Sequence, residues 1–210
     1  MVQDDILYAL VMFCVVAYIF YVWLNDLRFF IKNSKPRKGA FAGATPVSLK
    51  YVILSCLAAL ALLATHIWGE ESLGISGQQT RVGGFALLSW TAAAFIEELI
   101  FRGYFVIQNK GLLPLVLSAL GFSVVFALAH PFIWDYSIPE GGGIFDGVWS
   151  FELSAKTLFS TFSIFECSLL FYLLRFLPQN RYRSLLPCFC AHLTYNWGVF
   201  AAKLAQGFIQ

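Results

Sequence analysis

Charge is scarce in this chain. Only 12% of its 210 residues are Asp, Glu, Lys or Arg, against 59% hydrophobic, and the mean hydropathy is +0.72. A soluble globular domain carries about a quarter charged residues, so that class is excluded. The net charge is +2 and the basic residues are scattered over loops, which leaves no basic stripe for nucleic acid. The first apolar stretch lacks the basic n-region of a signal peptide, having Asp4 and Asp5 there instead, and no small-residue cleavage site follows it. It is therefore expected to be an anchoring helix. Internal repeats and low-complexity tracts are also missing, so residues 1–210 are expected to form one integral membrane domain. The five cysteines (Cys14, Cys56, Cys167, Cys188, Cys190) all lie inside apolar runs, where they act as small hydrophobes rather than as a disulfide framework.

What is abundant is long apolar sequence. Windows of about 20 residues match a hydrocarbon core about 30 Å thick at 1.5 Å rise per residue. They fall at 6–24, 51–68, 83–106, 112–133, 155–177 and 185–204. The expected fold is all-α, a polytopic membrane helix bundle with about six transmembrane helices. Loop charge sets the orientation, because cytoplasmic loops are enriched in Lys and Arg. The first loop holds Arg28, Lys32, Lys35, Arg37, Lys38 and Lys50, the third Lys110, and the fifth Arg181 and Arg183 with Arg175 just before it. The alternate loops hold Glu70, Glu71, Asp135, Glu140, Asp146 and Glu152, with Arg81 as their basic residue. Six spans with both termini outside satisfy this alternation, and a bacterial cell membrane is the expected location. The basic stretch "KNSKPRKGAFAGATP" reads as a solvated loop at an anionic surface. "DYSIPEGGGIFDGVWSFE", with Gly141, Gly142 and Gly143, reads as a mobile external loop, a lid or a connector.

Against this background "FIEELIFRGYF", from Phe95 to Phe105, stands out. A charge at the centre of a spanning helix costs about 2.5–3.5 kcal/mol on insertion scales, so charges there usually serve a site. Glu98 and Arg102 are four apart and share a helix face, whereas Glu97 is rotated about 100° away. One glutamate is held by the arginine and the other is free. Two adjacent carboxylates in a low dielectric resist ionising together, which makes one of them a candidate proton acceptor. "FALAHPF" sets Phe126 and His130 four apart on the fourth span, and "HLTYN" sets His192 and Asn196 four apart on the sixth. Three spans thus each offer polar residues at helical spacing, and bundle cores are where facing helices assemble sites. By helix rise, His130 and His192 differ in depth by about 10 Å unless a helix tilts or breaks, which Pro131 and Pro187 allow. His66 reads as a hydrated interfacial anchor and Lys203 as a snorkelling side chain, while Glu166 stays open between a protonated helix–helix hydrogen-bonder, a partner supporting a site residue and part of a proton path, the first being favoured. Trp68, Trp134, Trp149 and Trp197 read as belt or core residues.

The ordered set "EELIFR", "FALAH" and "HLTYN" resembles the EExxxR, FxxxH and HxxxN motifs of the CAAX protease and bacteriocin-processing (CPBP) family, over Phe95 to Asn196. The resemblance implies a catalytic core over 82–206 and an intramembrane endopeptidase, similar to type II CAAX prenyl endopeptidases. Its partners would be the bilayer and a membrane-associated peptide or protein, with a prenylated tail among the allowed substrates. It implies Glu97 as the base that activates water, assisted by His130. His192 and Asn196 would donate to the oxyanion, and the Arg102–Glu98 pair would hold Glu97 in register. No cofactor is expected. One or two carboxylates with two histidines also suit Zn²⁺, but no HExxH helix is present, so metal-free glutamate catalysis is favoured. Two alternatives remain on the same residues. One is a non-enzymatic bacteriocin immunity or partner-binding protein. The other is a proton-coupled transporter, which would more typically show inverted repeats and broken helices at corresponding positions.

Overall fold

A computed structural model describes residues 6–210. The order is α1 (Ile6–Asn33), α2 (Leu49–Ser72), α3 (Ala86–Glu97), α4 (Leu112–Leu128), β1 (Trp134–Ser137), β2 (Val148–Phe151), α5 (Ala155–Phe176) and α6 (Leu186–Ala205). The chain is a helical membrane bundle. Three of the helices, α1 from Leu10, α2 and α5, are long and apolar enough to cross a membrane, and α4 is a shorter apolar helix. Ser48 and Ser154 cap α2 and α5, each side-chain oxygen accepting a backbone N–H of the first turn. Such a cap contributes about 1 kcal/mol. Proline at the start of α6 has its φ already set for a helix and no N–H to lose.

Two apolar clusters frame the molecule. One joins α2, α5 and α6 through Ala59, Leu63, Cys167, Phe171, Cys188 and Ala191. The other joins α1 and α3 through Val16, Trp23, Phe95 and Leu99, with Leu185 at the head of α6. α2 and α6 pack most extensively, and they do so because Gly198 removes a side chain where it would collide: a Cβ there would lie 2.3 Å from Leu63 Cδ2. All five cysteines are free thiols, as their apolar settings implied.

The loops depart from expectation. α1 runs nine residues past the apolar window because its last turns are buried by the basic loop. Asp26, buried, accepts from Phe41 N at 2.8 Å and pairs with Arg37. Trp23 Nε1 donates to Ala42 O at 3.1 Å. That loop is not simply solvated: Leu185 N reaches Gly43 O at 3.0 Å, and Gly43 at φ +65 leaves no room for a Cβ against Leu185. The glycine-rich loop between α4 and α5 is a β-hairpin, with β1 and β2 antiparallel and Trp134 facing Phe151. Tyr136 Oη closes it on Ile144 O, and Asp146 Oδ2 accepts Gly143 N at 2.7 Å.

Candidate active site

The third apolar stretch does not continue as an α-helix. At Glu98 it widens into a π-helix, Glu98–Tyr104, a conformation that is rare and frequent at functional sites where it does occur. Tyr172 on α5 fastens this segment by donating to Phe101 O at 2.9 Å. Within it Glu98 and Arg102, each 0% exposed, meet with Nη1 to Oε1 at 3.2 Å. Arg102 Nη2 donates to Ser168 on α5 at 2.7 Å, and Ser168 donates to Ser123 on α4 at 2.8 Å. The guanidinium also lies over Phe126 at 4.5 Å and Tyr172 at 4.9 Å, so aromatic faces replace some of the water it has lost. Neither serine follows from the motif spacing, because both contacts are made between helices distant in sequence.

Glu98 also accepts from His192 Nδ1 at 2.9 Å, which joins α6 to the π-helix. The other ring nitrogen, Nε2, faces Glu97 Oε2 at 3.8 Å. His192 stacks on Phe171 with centroids 4.8 Å apart, so its ring plane is fixed. The adjacent glutamates therefore divide as their rotation implied: Glu98 is enclosed by Arg102 and His192, and Glu97 lines an open cavity. That cavity measures about 750 Å³ and brings Glu97, His130, His192 and Asn196 onto one wall system.

The expected mismatch in depth is resolved by a helix break. α4 stops at Leu128, and His130 sits on the following turn just ahead of Pro131. Trp134 Nε1 donates to Leu128 O at 2.7 Å and terminates the helix. His130 Nδ1 donates to Phe126 O at 2.8 Å, so in the neutral ring Nε2 keeps its lone pair. Phe126 packs between the histidines, with its centroid 4.9 Å from His130 and 6.2 Å from His192. Asn196 Nδ2 donates to Trp90 O at 3.2 Å, which sets the amide's orientation on the cavity wall.

A second polar group meets the same cavity, corrects the readings of His66 and Lys203, and gives Glu166 the helix–helix contact favoured for it. His66 is no hydrated anchor: it is 7% exposed, and its Nδ1 accepts from Tyr195 Oη at 2.7 Å while Nε2 meets Glu166 at 3.1 Å. Glu166 is thus a bonding partner between α2 and α5. Lys203 does not snorkel, being 7% exposed and donating to Gln79 Oε1 at 3.0 Å and Thr80 O at 2.8 Å. Glu70 pairs with Lys156 at 2.5 Å and accepts from Gln79 Nε2. The C-terminal ends of α2 and α6 and the N-terminal end of α5 thereby form the cavity's mouth.

Among the described residues, no three His, Cys, Asp or Glu side chains are grouped so as to hold a metal ion. Nδ1 of each site histidine is committed to Glu98 or to the Phe126 carbonyl, which fixes each ring and leaves its Nε2 as the nitrogen open to further contacts.

Residues 80–198 match the model of a protein family, described as type II CAAX prenyl endopeptidase Rce1-like. The chain belongs to that family. This Rce1-like chain is accordingly an integral membrane member of a protease family, whose substrates are peptides or proteins. The match covers all three motifs and ends just past Asn196, leaving α1 and α2 outside it. No curated protein and no solved structure matches the chain.

Proposed function

We propose that this protein is an intramembrane glutamic endopeptidase, acting without a metal through a catalytic core over 82–206. The observation that carries the reading is the unequal setting of two neighbouring carboxylates: Glu98 is fully buried with Oε1 held by both Arg102 and His192, while Glu97 faces the cavity beside His192. In this mechanism Glu97 takes a proton from a water held between it and His130 Nε2, and the hydroxide attacks the peptide carbonyl. Asn196, and His192 through Nε2 when that nitrogen carries a proton, donate to the developing oxyanion, a contribution of about 3–4 kcal/mol per donor in comparable sites. The proton on Glu97 then passes to the leaving amine. Arg102 and Glu98 act by position, fixing the π-helix from which Glu97 projects.

Both termini are assigned to the outer face, since the loops ahead of α2, α4 and α6 carry the basic residues. The cavity mouth, at Gln79, Glu152 and Lys156, lies at the opposite ends of those helices and opens away from the cytoplasm. The substrate is then a membrane-associated peptide presented at the outer leaflet, a lipid-modified tail being one such substrate.

The test compares protein termini in membranes from cells making the wild type, Glu97→Ala or His130→Ala at equal abundance. New termini that require both residues are expected in the wild type alone, and they persist in the presence of chelators. Identical termini in all three, with the fold intact, would refute hydrolysis and leave a partner-binding scaffold.

A further inference from the structure

Lys203 is an ammonium buried at the cavity wall without a counter-charge. Its two hydrogen bonds go to neutral oxygens, the Gln79 amide and the Thr80 carbonyl, and among the described residues no carboxylate comes within ion-pair distance of it. The nearby Lys156 differs, because Glu70 neutralises it directly. Gln79 separates the two lysines: its amide nitrogen faces Glu70 and its oxygen faces Lys203. Glu70 is therefore engaged by Lys156 and Gln79, and Glu152, the other carboxylate at the mouth, is exposed and makes no ion pair. A cation removed from water is costly unless an anion completes it.

The position of Lys203 says which anion would do so. His192, Asn196, Val199 and Lys203 all line the cavity, a single face of α6 running from the reaction centre to the mouth. Lys203 lies seven positions after Asn196, about 10 Å of helix axis at 1.5 Å per residue. An extended peptide rises about 3.3 Å per residue, so a chain whose cleaved carbonyl lies at Asn196 reaches Lys203 after two to four residues.

Building on the endopeptidase reading, we propose that Lys203 is a specificity residue that binds a carboxylate of the substrate on one side of the cleaved bond. Gln79 and Thr80 hold the ammonium toward the cavity, and the substrate supplies the missing charge. The carboxylate comes from the peptide's own C-terminus or from an acidic side chain at that distance. Lys203 does not touch the reacting atoms; it anchors the chain whose carbonyl they attack.

Binding separates this proposal from catalysis. The Glu97→Gln protein in zwitterionic lipid nanodiscs is titrated with N-acylated apolar pentapeptides in three forms: free acids, C-terminal amides, and amides carrying one glutamate. Free acids, glutamate-bearing amides or both are expected to bind about tenfold more tightly than plain amides, in line with a charge-assisted hydrogen bond. Lys203→Met brings that ratio to one and Lys203→Arg preserves it. Whether acids or glutamate amides gain identifies the carboxylate's source. Equal binding of all three forms, or no binding of any, overturns the proposal, as does loss of the preference when phosphatidylglycerol is added, which would make the anion a lipid phosphate. The comparison among peptides needs no lysine variant to fold. Cleavage of the same peptides by the wild type is scored separately: carboxylate-dependent binding without cleavage would keep the anchor and discard the protease.

Discussion

Two buried polar clusters sit at opposite ends of this bundle, and they are built differently. At the basic end, Asn180 donates to Leu174 O and to Ser184 O at 2.8 Å, and accepts Ser184 N at 2.8 Å. Ser184 Oγ in turn donates to Thr45 O at 2.6 Å. Nearly every bond there runs to the main chain, and the loops before α2 and α6 are tied together by it. At and behind the cavity many bonds join side chain to side chain, as in Glu98–His192, Arg102–Ser168 and Tyr195–His66, beside main-chain anchors for His130, Asn196 and Lys203. Several of its groups still face open space. Saturation by backbone fixes a fold; side chains that position one another while keeping donors and acceptors free hold a site.

The sharpest way to break this contrast is Glu97→Gln. Turnover should fall about a thousandfold, within the range for a lost general base, while thermal unfolding in detergent is unchanged. A parallel drop in stability would mean that Glu97 belongs to the framework. Asn180→Ala should do the reverse, lowering stability by about 2–3 kcal/mol through orphaned buried backbone groups, with activity per folded molecule retained. Chemical unfolding with an activity assay on the surviving fraction checks both halves. Ser168→Ala removes an acceptor from Arg102 and should cost about 1–2 kcal/mol. Because it also loosens the π-helix, kcat should fall more than KM rises, a split that a purely structural serine would not produce. The smallest effect is expected for Tyr195→Phe, about 1 kcal/mol from leaving His66 Nδ1 unpaired, seen as a small downward shift in Tm.

Much of this was legible in the sequence where the signal is local. Helices follow from apolar length, and Glu98 meeting Arg102, with Glu97 turned elsewhere, follows from residue spacing. His66, Glu166 and Lys203 were misread or left open because their surroundings come from other helices: Tyr195 lies 129 positions from His66, and Gln79 lies 124 from Lys203. Ser123 and Ser168 look like ordinary small residues of membrane helices until packing sets them against Arg102. The hairpin escaped notice because three consecutive glycines suggest freedom, whereas its register is held by side-chain bonds from Tyr136 and Asp146 that no periodicity encodes. The break after α4 was foreshadowed by Pro131, which made a bend available without saying where it falls.

The indole of Trp134 has a dual allegiance: it stops α4 by bonding Leu128 O, and it belongs to the first strand of the hairpin, against Trp149. Between its two attachments lies the short turn that bears His130. Any force that peels the hairpin from the bundle is transmitted to that turn and misaligns the imidazole. The ribbon and the turn that bears His130 thus share one indole as their hinge pin, so neither can shift without the other.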